Sequence, residues 1–143
     1  MSGLDYLRAM ATGQMPQPPI AKLLGFGIAS VERGCVTFEM DAAEYHYNPI
    51  GSVHGGVIST LLDSAMGCTV QTLLEPGYAY TTLELKVNFL RAVTKQTGHL
   101  QCVGTIVHSG SRVALAQARL IDNAGTLYAH GTSTCLIFAP KAA

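Results

Sequence analysis

The sequence predicts an α+β domain in which a curved antiparallel sheet of five or six strands wraps around one long central helix. One stretch, residues 56–74, repeats Val57, Ile58, Leu61, Leu62, Ala65, Met66, Val70, Leu73 and Leu74 at helical spacing over about half of the circumference. Four later segments alternate polar and apolar residues between turn signals, as strands with one buried face do. No strand–helix–strand rhythm recurs that would order a parallel sheet. A helix apolar over so broad a face must be covered on more than one side, and a curved sheet does that.

The elements follow in chain order. Residues 3–12 read as a short helix stopped by the three prolines between Gln14 and Pro19, and residues 1–19 read as a lead-in to a single domain spanning 1–143. Residues 20–24 give one helical turn closed by Gly25. Residues 28–32 and 35–40 form a hairpin around Arg33 and Gly34. Residues 41–54 make the least regular segment, carrying Tyr45, His46, Tyr47, Asn48, Pro49 and Gly51, and long irregular loops are where function concentrates. Glu75, Pro76 and Gly77 then break the long helix. Strands follow over 81–90, 100–108, 112–122 and 126–138, with turns at Ser109-Gly110 and Asn123-Ala124-Gly125. In the first of them Leu83, Leu85, Val87 and Phe89 alternate with Thr82, Glu84, Lys86 and Asn88.

Composition narrows the function classes. A chain of 143 residues buries enough surface to fold without disulfides or a structural metal. It is 48% hydrophobic and only 13% charged, too apolar for disorder and low in charge for a fully wetted monomer, so an apolar subunit interface is expected. Nine Lys plus Arg balance nine Asp plus Glu, which gives no general attraction to nucleic acid or to an anionic membrane. Cys35, Cys68, Cys102 and Cys135 are widely spaced and read as reduced, mostly buried thiols. His46, His99, His108 and His130 lack metal-ligand spacing, so no metal is expected. Asp5 and Arg8 interrupt the first ten residues, which speaks against a secretory leader, and no run approaches the ~18 uncharged apolar residues of a membrane span. The expected setting is the cytoplasm.

The chemistry gathers between Tyr47 and Gly67. His54, Gly55 and Gly56 open the long helix, whose N-terminus offers unpaired N–H groups and partial positive charge, and the glycines allow a ligand close to the backbone. Asp63 sits in the third turn, about 130° from the centre of the apolar face and on the side of Ser59 and Gly67, at the border of the buried stripe. A carboxylate there is either hydrogen-bonded to a neighbouring loop or aimed into a groove as general base or nucleophile. Eight residues of helix separate Gly55 from Asp63 by about 12 Å, too far for both to reach one carbonyl carbon. If both act, Gly55 of one subunit faces Asp63 of another across a two-fold axis, with the two long helices side by side in opposite senses.

Asn48, the His54-Gly55-Gly56 run, Asp63 within Leu-Leu-Asp-Ser-Ala, and Glu84-Leu85-Lys86-Val87-Asn88-Phe89-Leu90-Arg91 together resemble the hotdog-fold acyl-CoA thioesterases of the phenylacetate-degradation and 4-hydroxybenzoyl-CoA thioesterase type. The resemblance covers about residues 20 to 138. It implies a helix wrapped by an antiparallel sheet, homodimers or dimers of dimers, and active sites at the dimer interface. It further implies that the Gly55 N–H polarises the thioester oxygen, that the partner's copy of Asp63 activates water or attacks the carbonyl itself, that Asn48 orients the water or the thioester, and that His54 holds the loop. Gly56 belongs to the same substrate-binding start of the helix. Thr81 and Thr82 match the region where relatives place a hydroxyl that helps position water; Thr82 is the choice, although it shares parity with the polar set of its strand.

The substrate implied is an aryl-acetyl, aromatic or medium-chain acyl-CoA, cleaved to the free acid and coenzyme A with no separate cofactor. In a chain of zero net charge the coenzyme A phosphates need local basic groups, for which Arg91, Arg112 and Lys95 are candidates. The alternative is an acyl-CoA binding or sensing module of the same fold. A carboxylate beside the bound carbonyl argues against it, because binding an anion gains nothing from that charge.

Overall fold

The computed structural model describes residues 1–141. A helix α1 (Gly3–Ala11) and a short helix α2 (Pro19–Leu24) precede strands β1 (Phe26–Glu32) and β2 (Cys35–Asp41). The long helix α3 (Gly55–Gln71) follows, and then β3 (Ala79–Phe89), β4 (His99–Ser109), β5 (Val113–Asp122) and β6 (Leu127–Phe138). The six strands form one antiparallel sheet in the order β1-β2-β4-β5-β6-β3, and α3 lies against its concave face. This is the hotdog arrangement. Among the described residues no helix is long and apolar enough to cross a membrane.

What brings α3 so close to the sheet is a floor of small side chains. Ala114, Ala116 and Ala118 of β5 and Ala129 of β6 are buried against the helix side, beside Gly104 of β4 and Gly131 of β6. A Cβ on Gly104 would stand 2.6 Å from the Ala65 carbonyl oxygen, so no larger residue fits there. Large residues come from the helix instead. Leu61, Leu62, Met66 and Val70 are at most 1% exposed, and burying each contributes roughly 1.5–3 kcal/mol.

Two buried threonines fasten α3 to the first hairpin without leaving a polar atom unpaired. The Thr69 hydroxyl accepts the Val36 N–H at 3.2 Å and donates to the Ala65 carbonyl, and the Thr72 hydroxyl accepts the Gly34 N–H at 2.8 Å and donates to the Thr69 carbonyl. α3 ends at Gln71, three residues before the expected end, and Leu73 and Leu74 continue as a tight turn bonded to the Val70 and Gln71 carbonyls.

Residues 1–19 are more than a lead-in. Leu7 of α1 is part of the core, and the Gly3 N–H donates to the Leu74 carbonyl at 2.9 Å, so α1 closes over the end of α3 and along β1. The β1 edge of the sheet is therefore flanked by helices. The β3 edge is bare, with Leu83 59%, Phe89 54% and, just beyond, Leu90 55% exposed.

Overfilling the floor under α3 has a cost of about 1–3 kcal/mol. Gly104→Val is expected to lower the thermal midpoint by roughly 5–10 °C in calorimetry, whereas Gly27→Ala, whose Cβ would meet only the end of the Gln17 side chain at 3.4 Å, should not. On the outside of the sheet the His99 ring bridges Asp41 at 2.8 Å and Glu39 at 3.2 Å, and the hydrogen bond it donates to Asp41 is the main reason its pKa is raised. A raised histidine pKa contributes stability below the unfolded value of about 6.5 and loses it as the pH climbs through the folded value. Denaturant melts of His99→Gln should show a deficit at pH 5.5 that vanishes by pH 9.

Candidate active site

The loop ahead of α3 is held rigidly, as its hydrogen bonds show. Tyr47 and Val53 pair across its neck, the Asn48 N–H donates to the Ser52 carbonyl at 2.8 Å, and the Asn48 Oδ1 accepts the Ile50 and Ser52 N–H groups at 3.0 and 3.2 Å. The Asn48 Nδ2 donates to the Ser52 hydroxyl at 3.1 Å. With its oxygen doubly engaged, Asn48 keeps one amide hydrogen for a ligand and can only donate. Buried His46 pins the start of the loop: its Nδ1 accepts the Ala43 N–H, its Nε2 donates to the Leu24 carbonyl, and its own carbonyl accepts the His54 N–H at 2.9 Å.

His54 then caps α3. Its Nδ1 accepts the Gly56 N–H at 2.8 Å, and its carbonyl accepts from Val57 and Ile58. The Gly55 N–H is left with no acceptor among the described residues. In a trans peptide the N–H points opposite to the preceding C=O, so with the His54 carbonyl aimed into the helix the Gly55 N–H must aim out of it. It opens on a cleft of ≈ 380 Å³ shared with Asn48, Phe89 and Arg91. The Arg91 N–H, with that of Leu90, donates to the Tyr128 carbonyl, which fixes the backbone that carries the guanidinium. Gly56, whose N–H is already taken by His54, has no amide to offer a substrate.

Asp63 lies two turns along α3 in a separate, mostly apolar groove of ≈ 230 Å³. Thr82 donates to its Oδ1 at 3.0 Å. The meeting follows from matched repeats: two residues of strand advance about 6.6 Å and four of helix about 6 Å, so Tyr80 and Thr82 of β3 sit over Gly67 and Asp63. By alternation alone Thr82 is in phase with the polar set of β3. Instead the register slips between Thr82 and Glu84, and this bulge puts Thr82 on the helix side together with Leu85 and Val87, while Glu84, Lys86 and Asn88 face outward.

Two other candidates stand apart from both the Gly55 cleft and the Asp63 groove within one chain. Thr81 is exposed on the outer face of β3, because its neighbours on both sides point inward. Arg112 stands in the β4–β5 turn, its carbonyl bonded to the Ile137 N–H, at the end of the sheet opposite Arg91. Within one chain the Gly55 cleft and the Asp63 groove share no lining residue.

Sequence reasoning passed over Tyr80, Phe26, Phe38, Met10 and Pro18, all of which wall the Asp63 groove. A glycine inside a helix costs roughly 1 kcal/mol against alanine, so Gly67 was the available signal: a Cβ there would collide with the Tyr80 ring. Burial, and secondarily the Asp63 charge, pushes the Cys68 thiol up to about 12, and burial likewise raises the Tyr80 phenol. Both stay protonated at neutral pH and add no charge to the groove. Among the described residues no set of three His, Cys, Asp or Glu side chains is grouped to hold a metal ion.

A hotdog fold with a free amide at the start of its central helix and a carboxylate along it defines a class of protein, and the relatives agree. Residues 50–130 match the model of the Thioesterase superfamily, and the chain belongs to that family. It is 31% identical to a phenylacetic acid degradation-related protein of Ralstonia eutropha JMP134, with a TM-score of 0.82 over 92% of this chain and 98% of that one. It is 26% identical over 122 residues, 85% of this chain and 96% of the other, to the 1,4-dihydroxy-2-naphthoyl-CoA hydrolase of Listeria monocytogenes. The PaaI protein from the phenylacetic acid degradation operon of E. coli shares the fold, with a TM-score of 0.83 and 20% identity over 98% of this chain and 99% of that one.

The His54 cap predicts a local effect that can be separated from folding. His54→Ala should cost about 1 kcal/mol in denaturant melts and speed hydrogen exchange at Gly56, with core amides such as Leu62 following the global change alone.

Proposed function

We propose that the protein hydrolyses an acyl-CoA thioester to the free acid and coenzyme A, at a site built from two copies of the chain. The observation that carries this reading is the free Gly55 N–H facing a cleft, about 12 Å along α3 from Asp63. One chain does not bring the two together, whereas two helices side by side in opposite senses do. The bare, apolar β3 edge supports such a pairing, since an open strand edge with exposed Leu83 and Phe89 is covered by joining its copy. The assembly is a homodimer or a dimer of such dimers.

In the reaction the Gly55 N–H, aided by the remaining Asn48 amide hydrogen, binds the thioester oxygen and stabilises the negative charge that forms on it. A preorganised donor of this kind contributes about 3 kcal/mol to lowering the barrier. Asp63 of the partner subunit supplies the other half. Held at Oδ1 by the Thr82 hydroxyl, it presents Oδ2 either to a water whose proton it takes or to the carbonyl carbon itself. By the first route the water oxygen joins the acyl carbon, the C–S bond breaks, and the proton taken by Asp63 passes to the sulfur, so coenzyme A leaves as the thiol; by the second the C–S bond breaks as the acyl group forms a mixed anhydride with Asp63, and water then splits the anhydride, returning the carboxylate, releasing the acid and supplying the proton to the thiolate. Arg91 at the mouth of the Gly55 cleft meets the phosphates. The named relatives favour an aromatic or aryl-acetyl group over other acyl chains.

Asp63→Asn is expected to lower kcat at least about 100-fold with binding of the substrate retained. Gly55→Pro removes the amide at a helix position that accepts proline, and Gly55→Ala, which brings the same Cβ to 3.1 Å from the Phe89 ring but keeps the N–H, controls for the added bulk: kcat should drop about 100-fold or more in the proline variant and at least about tenfold less in the alanine variant. Mixing the two inactive variants should restore roughly a quarter of wild-type activity, since half the dimers are mixed and each has one intact site. Full inactivity of the mixture, with subunit exchange verified, would confine both residues to one chain. Saturable acyl-CoA binding with no thiol release by the wild type would make the protein a sensor.

A further inference from the structure

The one buried polar side chain of residues 42–54 is His46, 2% exposed, and no step of the proposed reaction uses it. Burial obliges both ring nitrogens to find partners. Nδ1 accepts the Ala43 N–H at 3.0 Å, which leaves the ring hydrogen on Nε2, and Nε2 donates it to the Leu24 carbonyl at 2.6 Å. That carbonyl is an unpaired acceptor at the end of α2, where Gly25, with a φ of 77°, turns the chain into β1. The anchor is firm, because Ala21 and Phe26 on either side of it belong to the core. Two hydrogen bonds lead from it to the start of α3: the His46 ring to Leu24, and the His54 N–H to the His46 carbonyl at 2.9 Å, one peptide before the Gly55 N–H. On its other side the end of the loop is held by the Val53 N–H, which donates to the Val93 carbonyl at 2.8 Å.

We infer that His46 is a positioning residue for the oxyanion donor: its ring, tied to the end of α2, sets where the Gly55 N–H of the same chain points, and it acts on that half of the site alone. The role rests on the hydrolase reading of the site. With the ring bonds removed, the Val53–Val93 bond still holds the loop, so the amide is displaced and the fold is kept. A misplacement of about 1 Å costs up to about 100-fold in rate. Because the donor meets charge that forms only in the transition state, kcat and kcat/KM fall together and KM stays. The Asp63 half is set by Thr82 and by the seating of α3, neither of which involves His46. Pro18 and Phe26, at the two ends of α2, also wall the Asp63 groove, so the test must tell the two halves apart.

His46→Phe keeps a ring and removes both bonds, and His46→Gln returns an amide N–H toward the Leu24 carbonyl. In thiol-release assays His46→Phe should lose at least about tenfold in kcat with KM within about threefold of the wild type, and His46→Gln should recover kcat to within about threefold. Mixed in equal amounts with Asp63→Asn subunits, His46→Phe should regain about a quarter of wild-type activity, because its own Asp63 completes the site at the partner's intact loop; with Gly55→Pro subunits it should stay at or below about a tenth. Where His46→Phe does not fold, His46→Asn, which keeps an acceptor for Ala43 and loses the reach to Leu24, carries the same expectations. An unchanged kcat, a deficit that His46→Gln does not repair, rescue by Gly55→Pro subunits, or rescue by neither while those two variants complement each other would overturn the role. Hydrogen exchange needs no turnover: in His46→Phe the His54 amide should exchange at least about tenfold faster than the global change read at Leu62 accounts for, and a His54 amide that follows the global change alone would overturn the role as well. A wild type that releases no thiol, or failure of Asp63→Asn and Gly55→Pro to complement each other, removes the hydrolase or the two-chain reading, and the exchange at His54 then decides whether His46 holds the start of α3.

Discussion

The structure depends on how closely α3 can approach the sheet. An α-helix laid on strands with ordinary side chains stands off by the thickness of both layers. Here the strands present Gly104, Gly131 and a row of alanines, and the Ala65 carbonyl lies where a β-carbon would otherwise be. Every feature of the candidate site inherits this seating. Thr82 reaches Asp63 because β3 is held close enough for a short side chain to span the gap, and Tyr80 lies flat on the helix because Gly67 offers no obstacle. Raising the helix by one methyl group would separate the carboxylate from its hydroxyl partner without touching either residue.

The loop before α3 works by saturation. Its polar side chains are used on the loop itself: Asn48 binds two backbone amides and a hydroxyl, His46 bridges two elements, and His54 takes the Gly56 N–H. What remains is the Gly55 N–H, whose direction is set by the capping geometry, and one amide hydrogen of Asn48. In the proposed reaction the Gly55 N–H receives the oxyanion, and such a donor gains its effect from being in place before charge develops; a loop with so few unspent groups has little freedom to move it.

Much of the fold could be read in the sequence because periodicity reports burial. The helical spacing of residues 57–74 located α3, and the turn residues at Gly34, Gly110 and Gly125 bounded the strands to within one or two residues. The distance argument from Gly55 to Asp63 needed only the helical rise. Two things were hidden for physical reasons. A bulge leaves no mark on polarity, so the slip after Thr82 that turns it inward was invisible to alternation. The N-terminal segment looked like a lead-in because α1 is only nine residues long and the prolines after it suggest a break, whereas its packing, through Gly3, Tyr6, Leu7 and Ala9 on one helical face and the Gly3–Leu74 bond, is long-range. Arg112 and Thr81 were judged by residue type, which says nothing about which end or face of a sheet a residue occupies.

Cys68 adds a chemical consequence. A thiolate beside an activated thioester would compete for the acyl group by exchange, trapping the enzyme as its own acylated form. Thiolate, not thiol, is the attacking species, and at a pKa of about 12 only on the order of one molecule in 100,000 carries it at pH 7. The burial that raises this pKa, reinforced by the neighbouring carboxylate, gives the groove a silent sulfur. In the proposed hydrolase, self-acylation is suppressed chiefly by the burial of the sulfur.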